Sequence, residues 1–404
     1  MARFMQWLLP PSCSLINSSV RALVIVLDSA GCGGAADAAS YGDEGANTLG
    51  HLFEREPLEL PHMASLGLYD LLRSKGINAP FTPMLRSGAA ATHMAEKSAG
   101  KDTTTGHWEL SGIILDRPFE AFVNFPQSLV GEIESRSNVS FIGNVASSGT
   151  QILSCLGAQH LSTGRPILYT SADSVLQIAA HEDPAIFGLQ RLLELCRTAR
   201  LVLDERKIPV GRVIARPFVG DNPENFQRTA NRQDFSLTPP DNVLIELQRD
   251  GIKVIGVGKI TDIFAGRGIS ESHPTKSNAE GMTTIATLWN RSDPGPQFIF
   301  ANLVDFDSLY GHRRDPRGYA QALRDFDDWL GRFLPLVGQG DFLCITADHG
   351  NDPYHRGTDH TREQVPLLTL NSPVPLWPGD DFTEVAQLLR HYFSSWTRSG
   401  HAIA

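Results

Sequence analysis

ALVIVLDSAGCGG, residues 22–34, is the stretch that decides the fold, because six apolar residues lead into Asp28 and then into a glycine-rich turn. Such a short, continuously apolar run is typical of a strand buried on both faces of a parallel sheet. Amphipathic helical patterns lie between several runs of this kind, the clearest of them over residues 323–337. Alternating buried strands and amphipathic helices predict an α/β protein with a largely parallel sheet. The other apolar runs are at residues 167–170, 213–215, 254–257, 298–304 and 342–346.

The composition limits the classes of partner. The chain has 404 residues and a formal net charge of −10, which argues against nucleic-acid binding through a broad basic surface. No apolar run reaches the roughly 18–20 residues of a membrane span, so no membrane partner is expected. The five cysteines are widely spaced and lack a CxxC motif, as expected in a reducing cytoplasm. Residues 1–20 make a poor signal peptide, and we expect them to form a disordered N-terminal extension.

Three of the predicted strands end in acidic residues. The first runs into Asp28, the strand at 298–304 into Asp305-Phe306-Asp307, and the strand at 342–346 into Ala347-Asp348-His349. In an open α/β sheet, ligands bind beyond the carboxyl ends of the strands, so these carboxylates are expected to converge. Converging negative charges repel one another unless a cation lies between them. A bound metal ion is the simplest solution.

Histidines supply further candidate ligands near these strand ends. His312 lies five residues after Asp307, and His349 and His360 lie in the loop after the last strand. A mixed set of Asp and His ligands suits manganese, zinc or iron better than magnesium, and six such ligands are about right for two ions. His355 in the same loop competes with His360 for the ligand role, and spacing does not decide between them.

The segment SAGKDTTTGHWELSG, residues 98–112, offers candidate nucleophiles. Thr103, Thr104 and Thr105 follow Lys101 in a turn bounded by glycines. A metal pair can lower the pKa of a bound hydroxyl and stabilise a transferring phosphoryl group. Any of the three threonines can also cap a helix, and the pattern alone does not rank them.

These motifs resemble those of the phosphopentomutases, within the alkaline phosphatase superfamily. They run in the family order from about Arg21 to the end of the chain, so the resemblance covers nearly all of it. The matching stretches are VLDSAGCGGAADAASYGDEGANTLGH, KDTTTGHWE, SSGTQIL, YTSADSVLQIAAHE, GRVIARPFVG, NFQRTANRQD, GKITDIFAGRGI, NLVDFDSLYGHRRDPRGY and TADHGNDPYHRGTDHTREQVPLL.

The resemblance implies an isomerase, an intramolecular phosphotransferase that interconverts ribose 1-phosphate and ribose 5-phosphate and the 2-deoxyribose pair. It implies two Mn²⁺ ions, a phosphothreonine, a pentose 1,5-bisphosphate intermediate, and a sugar bisphosphate activator such as glucose 1,6-bisphosphate. The threonine that follows Lys-Asp in the family is Thr103 here. The implied ligands are Asp28, Asp348 and His349 around one ion, and Asp307, His312 and His360 around the other.

The resemblance also implies a domain organisation. A core like that of alkaline phosphatase, at residues 21–117 and 236–404, is expected to be interrupted by a smaller α/β cap at residues 118–235. Substrate contacts are implied at Asp173, with Arg212 and Arg216 as phosphate or sugar contacts near it in the cap and Lys259 as a candidate from the core. Arginine suits bidentate phosphate recognition, whereas a surface salt bridge is the alternative for Arg212. We expect a monomer whose partners are small-molecule pentose phosphates.

The sequence departs from the family pattern without losing a predicted ligand. Residues 1–20 precede the usual start, Gln233 stands where histidine is common, and Thr104 puts a second hydroxyl beside Thr103. Two superfamily alternatives share the metal site: a hydrolytic phosphatase, and a cofactor-independent phosphoglycerate mutase, which uses serine and has a longer insertion. KDTTTGHWE and the chain length favour the pentomutase, and the complete ligand set argues against a non-enzymatic scaffold.

Overall fold

The computed structural model describes residues 20–81, 84–171 and 174–398. The predicted N-terminal extension, apart from Val20, and the predicted substrate contact Asp173 lie outside these residues. In the described parts the chain forms two sheets, each with hydrophobic core residues of its own. The second sheet is inserted between segments of the first.

The helices and strands alternate along the chain. The strands are β1 (Arg21–Leu27), β2 (Ala89–Met94), β3 (Ile142–Ala146), β4 (Ile167–Thr170), β5 (Val175–His181), β6 (Arg212–Val219), β7 (Gln227–Arg228), β8 (Gln233–Ser236), β9 (Lys253–Val257), β10 (Glu271–His273), β11 (Gln297–Leu303), β12 (Phe342–Thr346) and β13 (Val365–Leu370). The α-helices are α1 (Thr48–Arg55), α2 (Pro61–Ser65), α3 (Leu68–Ser74), α4 (Thr103–Leu110), α5 (Gln127–Ser137), α6 (Gly149–Thr163), α7 (Leu189–Glu205), α8 (Val243–Arg249), α9 (Ile260–Ile263), α10 (Asn278–Trp289), α11 (Pro316–Phe333) and α12 (Glu384–Arg398).

The first sheet is the core sheet, with the strand order β10-β9-β11-β1-β12-β13-β2. The strands from β10 to β12 run parallel, and β13 is antiparallel to both of its neighbours. The central strand β1 is buried from Ala22 onward, as its unbroken apolar sequence predicts. The predicted α/β fold with a mostly parallel sheet flanked by helices is confirmed.

The second sheet, with its helices, forms the unit that we call the cap. Its order is β3-β4-β5-β6-β7, with β8 also paired to β6, and it mixes parallel and antiparallel pairs. Apolar residues of α5 and α7 share a core with one face, and those of α6 pack with Tyr169 and Phe218 in another cluster. The last cap strand ends at Ser236, one residue beyond the predicted boundary at 235.

The structure corrects two details of the predicted elements. The stretch at 221–241 is polar with little apolar periodicity, which predicts a loop, a domain hinge or a binding loop, but it contains the short strands β7 and β8. The helical pattern drawn to Val337 is too long, because α11 ends at Phe333 and a 3₁₀ turn, Leu334–Leu336, follows. Pro335 lies in that turn and has no N–H with which to continue the helix.

The carboxyl ends of four neighbouring parallel strands, β9, β11, β1 and β12, meet at one edge of the core sheet. The chain continues from these ends into Lys259, Asp307, Asp28 and Asp348, respectively. This edge is where an open α/β sheet binds its ligands. In the described part of the chain, no helix has the length and apolar character needed to cross a membrane.

Candidate functional site

Asp28, Asp348 and His349 meet beyond the ends of β1 and β12. One ligand atom from each lies within 4.8 Å of the others. His349 Nε2 is 3.5 Å from Asp28 Oδ1 and 3.3 Å from Asp348 Oδ2, and all three side chains are buried. Ser29 adopts a left-handed φ of 79°, and its N–H donates to Asp348 Oδ1 at 3.1 Å. This backbone conformation is uncommon for a residue other than glycine and recurs at functional sites.

The chemistry of this group fits a metal ion. His349 Nδ1 donates to the carbonyl of Gly350 at 3.0 Å, which leaves the lone pair of Nε2 directed at the two carboxylates. Among the residues that the structure describes, Asp28 Oδ1 and Asp348 Oδ2 have no hydrogen-bond partner, although both are buried. Buried acceptors without a donor are costly. A cation between them would satisfy all three groups.

Asp307, His312 and His360 lie together beyond the end of β11, and Asp307 and His360 belong to a second candidate group, which does not include His312. Asp307 Oδ2 is 3.2 Å from His312 Nε2, Asp307 Oδ1 is 3.3 Å from His360 Nε2, and the two Nε2 atoms are 3.1 Å apart. Both imidazoles donate their Nδ1 hydrogens to backbone carbonyls, those of Thr358 and Lys101. Their Nε2 atoms therefore face each other and a carboxylate, which again fits a cation.

A π-helical turn brings Asp307 and His312 together. It spans Phe306–Gly311 directly after β11, and the N–H of His312 donates to the carbonyl of Asp307 at 3.0 Å. In an α-helix, residues five apart point about 140° away from each other, whereas the wider π turn places them on one side. The Asp307 carboxylate is further held by Asn351 Nδ2 at 2.8 Å.

His349 lies in both candidate groups. Its ligand atom is also within 4.8 Å of those of Asp307 and His360, and its ring stacks on that of His360 with centroids 3.9 Å apart. The sequence-based assignment gave His349 to one ion only. Of the two alternatives in this loop, His360 belongs to a candidate group and His355 does not, so the geometry favours His360.

Burial and neighbouring charges shift the pKa values of these groups. Burial, reinforced by the charge of Asp348, raises the pKa of Asp28 to about 7. Burial lowers the pKa of His349 to about 4, so its imidazole is neutral at pH 7. Burial also acts to lower the pKa of His360, but the Asp307 carboxylate outweighs it and raises that pKa to about 9. Without an ion, protons on Asp28 and His360 therefore offset part of the buried negative charge.

Metal binding is expected to displace these protons. Affinity for Mn²⁺ should rise with pH, by roughly tenfold per pH unit for each displaced proton, up to about pH 7 for Asp28 and about pH 9 for His360. Calorimetric titration in buffers of different ionisation enthalpy measures the protons released. More should be released at pH 6 than at pH 8, and equal release at both would contradict the shifted pKa of Asp28.

Thr103 is the first residue of α4 and reaches this edge of the sheet. Asp102 caps the helix by accepting from the N–H groups of Thr104 and Thr105, as an N-cap aspartate should. The Thr105 hydroxyl is buried and donates to Asp102 Oδ2 at 2.5 Å. The Thr103 hydroxyl instead donates to His349 Nε2 at 3.2 Å. The geometry therefore favours Thr103 over Thr105 as a nucleophile.

Gly106 allows α4 to pack against the loop after β12. A Cβ at this position would lie 2.0 Å from the carbonyl oxygen of Asp348, so any larger residue would force the two segments apart. The close approach is what carries the first turn of α4, with Thr103, to the two ligand groups.

Two buried side chains that the sequence analysis did not single out support the ligands. His107 Nδ1 lies 3.1 Å from Asp348 Oδ2 and donates to the carbonyl of Thr103 at 2.9 Å. Asn302 Nδ2 donates to Asp28 Oδ2 at 3.1 Å. Outer partners of this kind orient metal ligands. Both residues lie in quoted motifs, GHWE and NLVD, but their role depends on contacts between distant segments that local spacing does not reveal.

Lys259, predicted as a substrate contact, lies beside the first ligand group. Its Nζ is 3.5 Å from Asp28 Oδ2. Burial acts to lower the pKa of Lys259, but the carboxylates of Asp28, Asp307 and Asp348 outweigh it and raise that pKa. A charged ammonium therefore stands beside the first ligand group.

The two predicted arginine contacts both lie on β6 of the cap. Arg212 is the first residue of the strand, and its Nη1 is 3.6 Å from Asp234 Oδ2. It therefore makes a long, partly exposed salt bridge, which was the alternative role predicted for this residue. Arg216 Nε donates to Gln177 Oε1 at 3.0 Å and is partly buried.

Two more arginines join Arg216 in a cationic group that the sequence analysis missed. Burial raises the pKa of Tyr169, and the charges of Arg216, Arg228 and Arg232 act in the opposite direction. A Cβ on Gly149, at the start of α6, would lie 2.8 Å from Arg228 Nη1 and 3.3 Å from Tyr169 Oη. Within the described ranges, neither Arg216 nor Arg228 forms an ion pair with a carboxylate. We call these three arginines and Tyr169 the cap arginine cluster.

The chain matches known proteins along almost its whole length. A family model described as the metalloenzyme superfamily matches residues 20–393. The solved structure of the PH0037 protein from Pyrococcus horikoshii shares the fold with a TM-score of 0.50 and 13% sequence identity, over 93% of this chain and 98% of that one. The chain is therefore a member of the metalloenzyme superfamily.

Similar proteins with assigned names identify the family within this superfamily. A phosphopentomutase from Symbiobacterium thermophilum is 50% identical over 372 residues, which cover 91% of this chain and 92% of the relative. A phosphopentomutase from Syntrophotalea carbinolica is 46% identical over 389 residues, covering 95% and 97%, respectively. The chain belongs to the phosphopentomutase family and is an isomerase, which confirms the resemblance drawn from the sequence motifs.

Proposed function

We propose that the protein interconverts ribose 1-phosphate and ribose 5-phosphate, and the 2-deoxyribose pair, through phospho-Thr103 and a pentose 1,5-bisphosphate. The observation that carries the proposal is the position of the Thr103 hydroxyl, 3.2 Å from Nε2 of His349, the residue that lies near both Asp28 and Asp348 and both Asp307 and His360. Membership of the phosphopentomutase family supports the same reaction.

Two divalent ions, Mn²⁺ by resemblance to the family, are proposed for the ligand groups. Carboxylate and imidazole ligands together suit Mn²⁺. Bound there, the ions would neutralise the charge of a transferring phosphoryl group and lower the pKa of the Thr103 hydroxyl. The residues that would hold them are Asp28, Asp348 and His349 at one position, and Asp307, His312 and His360 at the other.

In the proposed cycle, one phosphoryl group passes from Thr103 to the sugar, and another passes from the bisphosphate intermediate to Thr103. The bond from phosphorus to Thr103 Oγ1 breaks as a bond forms to the C1 hydroxyl oxygen of ribose 5-phosphate, and the proton of that hydroxyl ends on the freed threonine oxygen. The bisphosphate then presents its other end, and its 5-phosphoryl group moves to Thr103 while the proton passes to O5. Water must be excluded meanwhile, because its attack on phospho-Thr103 would release phosphate. A sugar bisphosphate such as glucose 1,6-bisphosphate would phosphorylate enzyme that has lost its phosphoryl group.

The cap is proposed to bind the phosphate that is not being transferred. Arg228 and Tyr169 of the cap arginine cluster lie at the N-terminus of the 15-residue helix α6, and both arginine side chains and helix N-termini favour phosphate. Arg216 and Arg228 are available because no carboxylate neutralises them within the described ranges. Arg212 remains a proposed phosphate or sugar contact nearer the core, since the charge of Arg212 acts on Lys259. Asp173 remains a proposed substrate contact.

Arg216→Gln is expected to raise KM for the pentose phosphate about tenfold, or about 1.4 kcal/mol of binding free energy, with a smaller change in kcat. The change removes a cation from the held phosphate and leaves the reacting group untouched. Arg136→Gln is the control, because Arg136 makes an exposed ion pair with Glu132 on cap helix α5 and such pairs contribute little. An unchanged KM in Arg216→Gln would remove this residue from the substrate site.

The reaction itself is tested with ribose 5-phosphate, Mn²⁺ and a trace of glucose 1,6-bisphosphate. We expect ribose 1-phosphate to accumulate without release of free phosphate. Free phosphate and ribose as the main products would identify a hydrolase instead. Phosphoglycerate, offered separately, should be left unchanged, and its isomerisation would favour the phosphoglycerate mutase alternative.

Small-molecule pentose phosphates are the proposed partners of a monomer in the cytoplasm. The net charge of −10 supports the absence of a nucleic-acid partner. Cys32, Cys155, Cys196 and Cys344 are free thiols, which supports a reducing compartment.

A further inference from the structure

We propose that Arg362 is a positioning residue, which fixes the nucleophile loop (residues 96–102) against the ligand loop (residues 348–363) and thereby keeps Thr103 aligned for phosphoryl transfer. The inference rests on the proposed function for the identity of that reaction. Arg362 touches neither substrate position nor candidate ion site, and it would act through the loop that ends at Thr103.

The guanidinium of Arg362 makes several hydrogen bonds to the nucleophile loop. The residue is 2% exposed. Its Nη1 is 2.7 Å from a carboxylate oxygen of Glu96 and 2.9 and 2.5 Å from the carbonyl oxygens of Ser98 and Gly100. Nη2 donates to the carbonyl of Glu96 at 2.7 Å and to Asp37 at 3.0 Å. One planar group therefore holds three alternate carbonyls of the loop.

Other hydrogen bonds connect the ligand loop, to which Arg362 belongs, with Lys101 of the nucleophile loop. The backbone N–H of Arg362 donates to Asp43 Oδ2 at 2.9 Å, and Asp43 pairs with Lys101 Nζ at 3.0 Å. His360, two residues before Arg362, donates from Nδ1 to the carbonyl of Lys101 at 3.0 Å. Because Lys101 is held from both sides, a shift of either loop would change the distance between Thr103 and His360.

Lysine cannot replace these contacts. A guanidinium offers five N–H donors in one plane, whereas an ammonium offers three from a single atom. Arg362→Lys nevertheless keeps a positive charge beside the buried Glu96, which avoids the large cost of an unpaired buried carboxylate. The variant therefore loosens the loop while keeping the charge balance, and a displacement of about 1 Å at a reacting group can cost roughly 100-fold in rate.

The experiment compares Arg362→Lys with Arg200→Lys in the full-length, metal-loaded enzyme. Arg200 is a matched control in cap helix α7, because it is 7% exposed and donates to Asp204 at 2.8 Å and to the carbonyl of Val210 at 2.7 Å. We expect Arg362→Lys to lower kcat by roughly 10–100-fold, with KM within about twofold and metal content unchanged. Amide hydrogen exchange across residues 97–105 should accelerate by at least about tenfold in this variant alone.

The outcomes separate this role from a merely structural one. Unchanged exchange in residues 97–105, or equal loss of kcat in Arg362→Lys and Arg200→Lys, would overturn the positioning role. If Arg362→Lys does not fold, the double variant Glu96→Gln/Arg362→Gln, which exchanges the buried ion pair for two amides, is measured in the same way against the same expectations. A wild-type enzyme without mutase turnover would overturn the proposed function instead, and the exchange measurement would still decide on Arg362 because it needs no substrate.

Discussion

Thr103→Ala is expected to lower mutase turnover by roughly 10⁴–10⁶-fold, the usual loss when a nucleophile is removed, while two metal ions per chain are retained. In the proposed cycle the Thr103 oxygen both gives and receives the phosphoryl group, and its removal leaves the His and carboxylate atoms of the ligand groups in place. Turnover of ribose 5-phosphate and metal analysis measure the two effects. After incubation with glucose 1,6-bisphosphate, the intact mass should show one added phosphoryl group in the wild type and none in the variant.

The neighbouring threonines are controls within the same helical turn. Thr105→Ala should lower stability by about 1 kcal/mol, because the Thr105 hydroxyl donates to the helix cap Asp102, but phosphorylation should persist. Thr104→Ala should keep most of the turnover. If Thr103→Ala stays active and Thr104→Ala does not, the nucleophile is Thr104, the residue at which the sequence departs from its family.

Asp307→Asn should remove one of the two metal ions. Asp307 contributes both carboxylate oxygens to its group, at 3.2 and 3.3 Å from His312 and His360, and the amide carries no charge to hold a cation. Loss of outer partners of metal ligands costs about 10–100-fold in affinity, so loss of the ligand itself should cost more. Elemental analysis after dialysis against Mn²⁺ should fall from two ions per chain to one, and turnover should fall with it.

Asp305→Asn is the matched control for this metal loss. Asp305 follows the same strand but accepts the N–H of Asn278 at 2.7 Å, and so stabilises the start of α10 instead of facing the histidines. This variant should lose up to about 1 kcal/mol of stability and keep both ions. Two ions in Asp307→Asn, or one in Asp305→Asn, would show that the ligand assignment at the end of β11 is wrong.

The buried strands could be predicted because their signal is local. Residues 167–170 and 342–346 coincide with β4 and β12, since a strand covered on both faces must be apolar throughout. The short strands β7 and β8 escaped prediction because their residues are polar apart from Phe235 and none of them is fully buried, and such segments carry little periodicity.

The types of ligand could be read from the residue pattern, but their grouping was implied only by the family resemblance. Aspartates after parallel strands are expected to converge, because the order of the strands fixes where their ends meet. The position of His349 between two groups depends instead on its stacking against His360. The approach of Asp307 to His312 depends on a π turn. Both arise from tertiary packing, which the spacing of residues along the chain does not encode.

The central strand β1 is the first of the described strands to be synthesised, but its two neighbours in the sheet, β11 and β12, come late in the chain. Arg21, at its start, hydrogen-bonds to Trp289 and Asp341, which are 268 and 320 residues further along the chain. Contacts of such long range form slowly, whereas the cap is contiguous in sequence and has its own apolar core. At about 5–20 residues per second of synthesis, the cap has time to fold while the core sheet still lacks its later strands. We therefore expect the nascent chain to complete its first ligand group only after His349, and its second only after His360, has left the ribosome.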